Sequence, residues 1–203
     1  MHLAVALARK GLRVALVEGN LRHPALHEQL GLSNDVGLTS IIEGKSHEVE
    51  VEEDGLAGEE IMEMDPDDED SVFAALQRAI NANLFVLTRG PLCDSPITAL
   101  EGSAMESTIK TLSRIMDYVV IDTPSVERGG ESLALEALSD ACIMAVGSGE
   151  CESGEALWAK SLFTNVQTSV LGVVLNKCSK KTSSRFELAG WEEENSESVT
   201  VST

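Results

Sequence analysis

Apolar residues along the chain fall into two kinds of run. Recurrence at three and four residues predicts helices over 2–10, 72–81, 97–116, 131–138 and 154–165. The first of these stops at Gly11. Ser71 is the expected N-cap of the second, whose stripe is Val72, Phe73, Leu76, Ala79 and Ile80. Short unbroken runs of β-branched and aliphatic residues predict strands over 14–17, 84–87, 118–121, 142–146 and 170–175. Continuous apolar strands separated by helices make an α/β fold, a mostly parallel sheet with helices on both faces. In such sheets chemistry lies beyond the carboxyl ends of the strands.

Three of those ends carry polar residues. Glu18, Gly19, Asn20 and Arg22 follow the first strand, Asp122 and Thr123 the third listed above, and Asn176 and Lys177 the last. An aspartate fixed at a strand end before Thr-Pro suits a magnesium site, because its carboxylate can hold a metal-bound water. The same residue could equally cap a turn, and local sequence leaves both roles open.

Composition narrows the class. At 203 residues and 21.7 kDa the chain has room for one α/β domain. Its formal charge of −19 repels phosphate backbones and anionic lipid, which excludes generic nucleic-acid binding. No uncharged apolar run reaches the roughly 18 residues of a membrane span and no signal peptide is recognisable, so a cytoplasmic location is expected. The charge is concentrated: residues 43–70 hold fourteen acidic side chains and one lysine. Such a block repels itself, so about 45–70 is expected to be a solvated, largely disordered insertion in a domain spanning 1–176. Residues 177–203, with a second acidic run, are expected to form a flexible tail. The four cysteines show no C-x-x-C pairing and read as reduced thiols. His23 and His27 have helical spacing but no cysteine nearby, which does not make a zinc site.

The order of segments is specific. HLAVALARKGLRVALVEGNLRHPALHEQLGL, GLTSIIEG, LFVLTRGPLCDSPITALEGSAMESTIKTLSRIMDYVVIDTPSV, SDACIMAVGSGECESGEALWAKSLF and SVLGVVLNKC follow one another. Together they resemble the CpsD/CapB-type bacterial tyrosine autokinases of capsule and exopolysaccharide synthesis, members of the MinD/ParA-like P-loop ATPases. The resemblance covers most of 1–176 apart from the acidic stretch. It implies a P-loop NTPase-like sheet, ATP and Mg2+ as cofactors, and a Walker B aspartate at Asp122 that holds magnesium through water. It aligns residues 14–22 with the Walker A′ segment, in which three aliphatic residues precede Asp-x-Asp-x-Arg. Here the two aspartates are Glu18 and Asn20, while Arg22 is kept. Glu18 would reach magnesium with one extra methylene. Asn20 cannot take up a proton near neutral pH and so cannot act as general base. Asn176 matches the asparagine that contacts adenine in related ATPases.

The phosphate-binding loop of that superfamily, G-x-x-x-x-G-K-[ST], belongs ahead of the first helix, where this sequence has only Met1. Two stretches imitate it. Gly44-Lys45-Ser46 has the right ending, but Thr39 stands five positions earlier and the acidic stretch follows. Gly149 and Gly154 have the right separation, but Glu155 fills the lysine position and would repel phosphate. Three explanations are open: a start codon assigned downstream of the real one, which is favoured, a remnant gene, or a rearranged domain whose sheet a partner completes. Without the interior strand that feeds the loop, its neighbours would show unpaired backbone and apolar faces. Family members also carry a C-terminal tyrosine cluster phosphorylated between subunits. Tyr118 is the one tyrosine here and is expected inside a buried strand.

The resemblance implies an ATP-dependent protein-tyrosine kinase of polysaccharide biosynthesis, or a truncated or degenerate relative. Asp122 and Glu18 would sit on magnesium, Arg22 at the phosphate end and Asn176 on adenine. Its implied partners are a membrane-bound chain-length or export activator and other copies of the chain, at the inner face of the membrane. Two other readings remain. One is a non-catalytic docking protein for such a membrane co-polymerase, and the other is a MinD/ParA-type partitioning or positioning ATPase.

Overall fold

The computed structural model describes residues 1–53, 56–79, 82–128, 130–165 and 169–178. Nearly all of the expected tail lies outside them. Helix α1 (His2–Arg9) leads into β1 (Val14–Glu18), then α2 (Leu26–Leu30), α3 (Leu38–Ile42) and the strands β2 (Ser46–Glu53) and β3 (Leu56–Glu63). After these come α4 (Glu69–Ala74), β4 (Gln77–Arg78), β5 (Leu84–Leu87), α5 (Pro96–Glu101), α6 (Ser103–Ile115) and β6 (Tyr118–Asp122). A 3-10 turn (Val126–Arg128) precedes α7 (Glu131–Ala137), β7 (Ala141–Gly147), α8 (Ser153–Asn165) and β8 (Ser169–Asn176).

The main sheet has the order β4-β5-β1-β6, with β1 parallel to both neighbours and β4 antiparallel at one edge. All five residues of β1 are buried, as a central strand covered on both faces requires. Alternate side chains enter two cores. On one face Val14, Leu16, Leu84 and Val86 meet Ala4 and Ala8 of α1, whose small side chains let the helix lie close. On the other, Ala15, Val17, Phe85 and Leu87 pack with Leu38, Ile41, Val72, Leu100, Met105, Ile109, Leu112 and Leu135 from five helices.

Strands β7 and β8 form a separate parallel pair. Among the described residues, β6 is paired only with β1, and β7 only with β8. Apolar side chains on β8 are exposed: Leu171 is 70% and Val173 55% accessible. The pairing of β6 also corrects the expectation for Tyr118. That residue opens a strand with one free edge and is 51% exposed, not buried.

Three local expectations change as well. The acidic stretch is not wholly irregular: β2 and β3 pair antiparallel from Ser46↔Glu63 to Glu53↔Leu56. The sequence Glu48-Val49-Glu50-Val51-Glu52 has the two-residue period of a strand, and that period prevails over net charge. The helix expected over 72–81 is short, because Gln77 and Arg78 pair with β5 instead. Its N-cap is Asp68, whose side chain accepts the Ser71 N–H at 2.9 Å. The helix expected over 97–116 breaks at Gly102, which is extended between α5 and α6.

Candidate functional site

Parallel pairing of β1 with β6 sets Glu18 opposite Asp122 at the carboxyl end of the sheet. The ladder continues one step further, as Gly19 N–H donates to the Asp122 carbonyl at 2.9 Å. A side chain at Gly19 would run into that carbonyl and into Leu135, so the close approach requires glycine. Leu21, 1% exposed, anchors the following loop in the core. Glu18, Gly19, Asn20, Arg22 and Asp122 therefore belong to one edge.

Glu18 is fully buried, and both its oxygens are engaged. Oε1 accepts the backbone N–H groups of Ala25 and Leu26, each at 2.6 Å, and Oε2 accepts the Arg89 N–H at 3.0 Å. Helix α2 has no cap from its own N-cap residue, Ala25, so the strand-end carboxylate supplies one. His27 Nδ1 lies 3.5 Å from Oε2. In this structure Glu18 fastens β1, α2 and the segment after β5 to one another. Asn20 is also used locally, its Oδ1 accepting the His23 N–H, three residues on, at 3.1 Å.

Asp122 is different. The residue is solvent-accessible, yet surrounding protein withdraws its carboxyl from water and pushes its pKa above the ordinary aspartate range. The Glu18 charge adds to the rise and the Met1 ammonium opposes it. A partly desolvated carboxylate with a negative neighbour gains from a cation, and its oxygens are the acceptors a magnesium-bound water needs. Glu18 offers a poorer fit, because it is fully buried and three backbone N–H groups already occupy its oxygens. No cluster of three or more His, Cys, Asp or Glu side chains suited to a metal occurs among the described residues.

Arg22 donates from Nε to Glu131 Oε1 at 2.6 Å. The arginine side chain is about half exposed, whereas that of Glu131 is 3% exposed. Glu131 opens α7, nine positions beyond Asp122, so the pair ties the loop after β1 to the segment after β6. Asn176 stands apart from this group. It ends β8 in the separate pair of strands, and its Oδ1 accepts the Lys177 N–H at 2.8 Å.

Sequence reading missed Arg89 and Glu131. Arg89 contributes a backbone N–H, which leaves no signature in residue type. Glu131 follows Gly129 and Gly130 as an ordinary acidic residue at a helix start, and only the fold reveals that it is buried against Arg22.

No protein-family model matches the chain. It is 28% identical over 175 residues to tyrosine-protein kinase YwqD of Bacillus subtilis (strain 168), covering 86% of this chain and 64% of that relative. It is 26% identical over 176 residues to the putative tyrosine-protein kinase CapB of Staphylococcus aureus, covering 87% and 67%. The crystal structure of the chimerical protein CapA2B2 superposes with a TM-score of 0.72 at 25% identity, over 88% of this chain and 68% of that one. The septum site-determining protein MinD of Pyrococcus horikoshii OT3, complexed with Mg-ADP, matches at 0.62 and 17% identity, over 88% and 64%. The chain shares its α/β fold with both of these structures. In sequence the chain is similar to proteins named tyrosine-protein kinases, and it spans about two thirds of their length.

Proposed function

We propose that the chain serves polysaccharide biosynthesis as a CpsD/CapB-like, ATP-dependent tyrosine kinase, of which these residues carry the metal and guanidinium side of the nucleotide site. Asp122 holds magnesium through water, Arg22 stands at the phosphate end and Asn176 faces adenine. The observation that carries this reading is the β1–β6 register, which gathers Asp122 and the Arg22 loop at one sheet edge. Support comes from relatives that are named tyrosine-protein kinases. The 203 residues include no G-x-x-x-x-G-K-[ST] cradle for the phosphates, so they do not by themselves make up a phosphoryl-transfer site. In this reading the protein works at the inner face of the membrane, with a membrane-bound chain-length or export protein and with further copies of itself.

A specific observation favours a second reading, a non-catalytic docking protein for the same membrane partner. Glu18 and Asn20, at the two acidic positions of the Walker A′ segment, are both committed to backbone N–H groups. Thermal unfolding with 5 mM ATP and magnesium separates the two. For a dissociation constant of about 1 mM the stabilisation is about 1 kcal/mol, or a melting temperature about 2–4 °C higher. That rise should need magnesium and should vanish in Asp122→Asn. No nucleotide-dependent rise would remove nucleotide binding by these residues and favour the docking reading. Capture of the membrane partner's cytosolic ends without ATP would then establish docking.

A further inference from the structure

The Arg22–Glu131 pair has an asymmetry that points beyond an ordinary ion pair. Glu131 is buried and its carboxylate meets only the Nε–H of the guanidinium. A stabilising pair would ordinarily use the planar fork, two parallel N–H donors on two oxygens. Here Nη1 and Nη2 make no hydrogen bond to the described residues, and the arginine side chain is 54% exposed. Four N–H donors thus remain available on a group whose plane is fixed from behind.

Both ends of this link are themselves held. Leu21 is buried beside Arg22, and Gly19 bonds to the Asp122 carbonyl. On the other side, Leu135 of α7 belongs to the main core, one helical turn beyond Glu131. A long, flexible side chain that would otherwise sample many rotamers is therefore restrained at the same sheet end as Asp122. Restraint of this kind raises affinity by removing the ordering cost before the ligand arrives.

We propose that Glu131 is a positioning residue: it orients Arg22 so that the free Nη groups receive a phosphoryl anion at the carboxyl end of the sheet. This rests on the reading of Arg22 as the phosphate end of the site and adds the residue that aims it. The nearby acidic groups explain why an aimed guanidinium matters. Asp122 and Glu18 would otherwise repel the anion, and a fixed positive group opposes them where contact occurs.

The test is a double-mutant cycle on the full chain, with magnesium tripolyphosphate as the probe and binding followed by NMR titration in 150 mM salt. Glu131→Gln keeps the side-chain volume and should weaken binding about tenfold, as expected for losing one well-oriented charge-assisted contact. Arg22→Gln should weaken it by a similar factor. The double variant should bind no more weakly than either single variant, because both act through one guanidinium. The Arg22 Nε–H resonance, assigned by its loss in Arg22→Lys, should be shifted downfield and slow to exchange in the parent. It should move to the free-arginine position in Glu131→Gln. Should Glu131→Gln fail to fold, Arg22→Lys takes its place: it keeps the charge, loses the fixed plane, and should show the same tenfold loss. Full affinity in Glu131→Gln, or additive losses in the cycle, would overturn the positioning role and leave the phosphate reading standing. A parent chain that does not bind tripolyphosphate would overturn both.

Discussion

Replacing Glu18 by glutamine isolates the structural work of one buried carboxylate. The substitution keeps the size and shape of the side chain, so no cavity term enters. Glutamine can still offer its carbonyl oxygen to the Ala25 and Leu26 N–H groups, but as a neutral acceptor. Hydrogen bonds to charged groups are worth about 1.5–3 kcal/mol and neutral ones about 0.5–1.5, so these two contacts together lose about 2 kcal/mol. At the second position the amide NH2 replaces Oε2 and faces the Arg89 N–H, donor against donor. Leaving that buried amide without an acceptor costs about another 1–3 kcal/mol. The sum, about 3–5 kcal/mol, is a large fraction of the 5–15 kcal/mol that holds a typical domain together. Urea unfolding followed by circular dichroism, at equal slope, reads it directly. A loss under about 1 kcal/mol would refute the clamp. If the same variant also lost magnesium-dependent ATP binding, Glu18 would be a metal ligand after all.

Three further outcomes follow from other parts of the molecule. Gly37 lies against the Thr88 carbonyl and the Gly90 amide, where an added methyl group has no room, so Gly37→Ala should cost about 1–3 kcal/mol in the same unfolding assay. The Asp117 carboxyl accepts the Arg13 backbone N–H and its guanidinium, and these bonds hold its pKa below the usual aspartate range. Its contribution is present above roughly pH 4 and fades as pH falls through the lowered folded-state value, so Asp117→Asn should be less stable than the parent at pH 7, with the difference shrinking as the pH is lowered below 4. Burial and the neighbouring Glu136 push the Cys142 thiol up to about 11. Alkylation by iodoacetamide at pH 8 should therefore be slow there, with a rate rising about tenfold per pH unit, as mass spectrometry can follow residue by residue.

Strands β1, β5, β6, β7 and β8 were readable because each is a short apolar run. Most helices were readable for the same reason, from stripes that now face the two cores. The β2–β3 pairing was not, because counting charges gives no weight to the alternation of valine and glutamate. Gly102 and the Gln77–Arg78 pairing were missed because each depends on what a neighbour does. At the candidate site, Glu18, Asn20, Arg22 and Asp122 were found from their place after strands. Their hydrogen bonds were not, since Glu18 meets an amide 71 positions away and Arg22 a carboxylate 109 away. Residue type announces the chemistry a side chain can do, while the fold decides whether it is free to do it.

Paramagnetic relaxation locates the metal most directly. With ATP and Mn2+ in place of magnesium, amide signals of Gly19 and Thr123 should broaden together, and Asp122→Asn should abolish the effect while Glu18→Gln leaves it in place. Broadening that persists in Asp122→Asn, or that centres on the acidic β2–β3 strands and does not depend on ATP, would contradict the assignment of this sheet edge as the nucleotide-metal site.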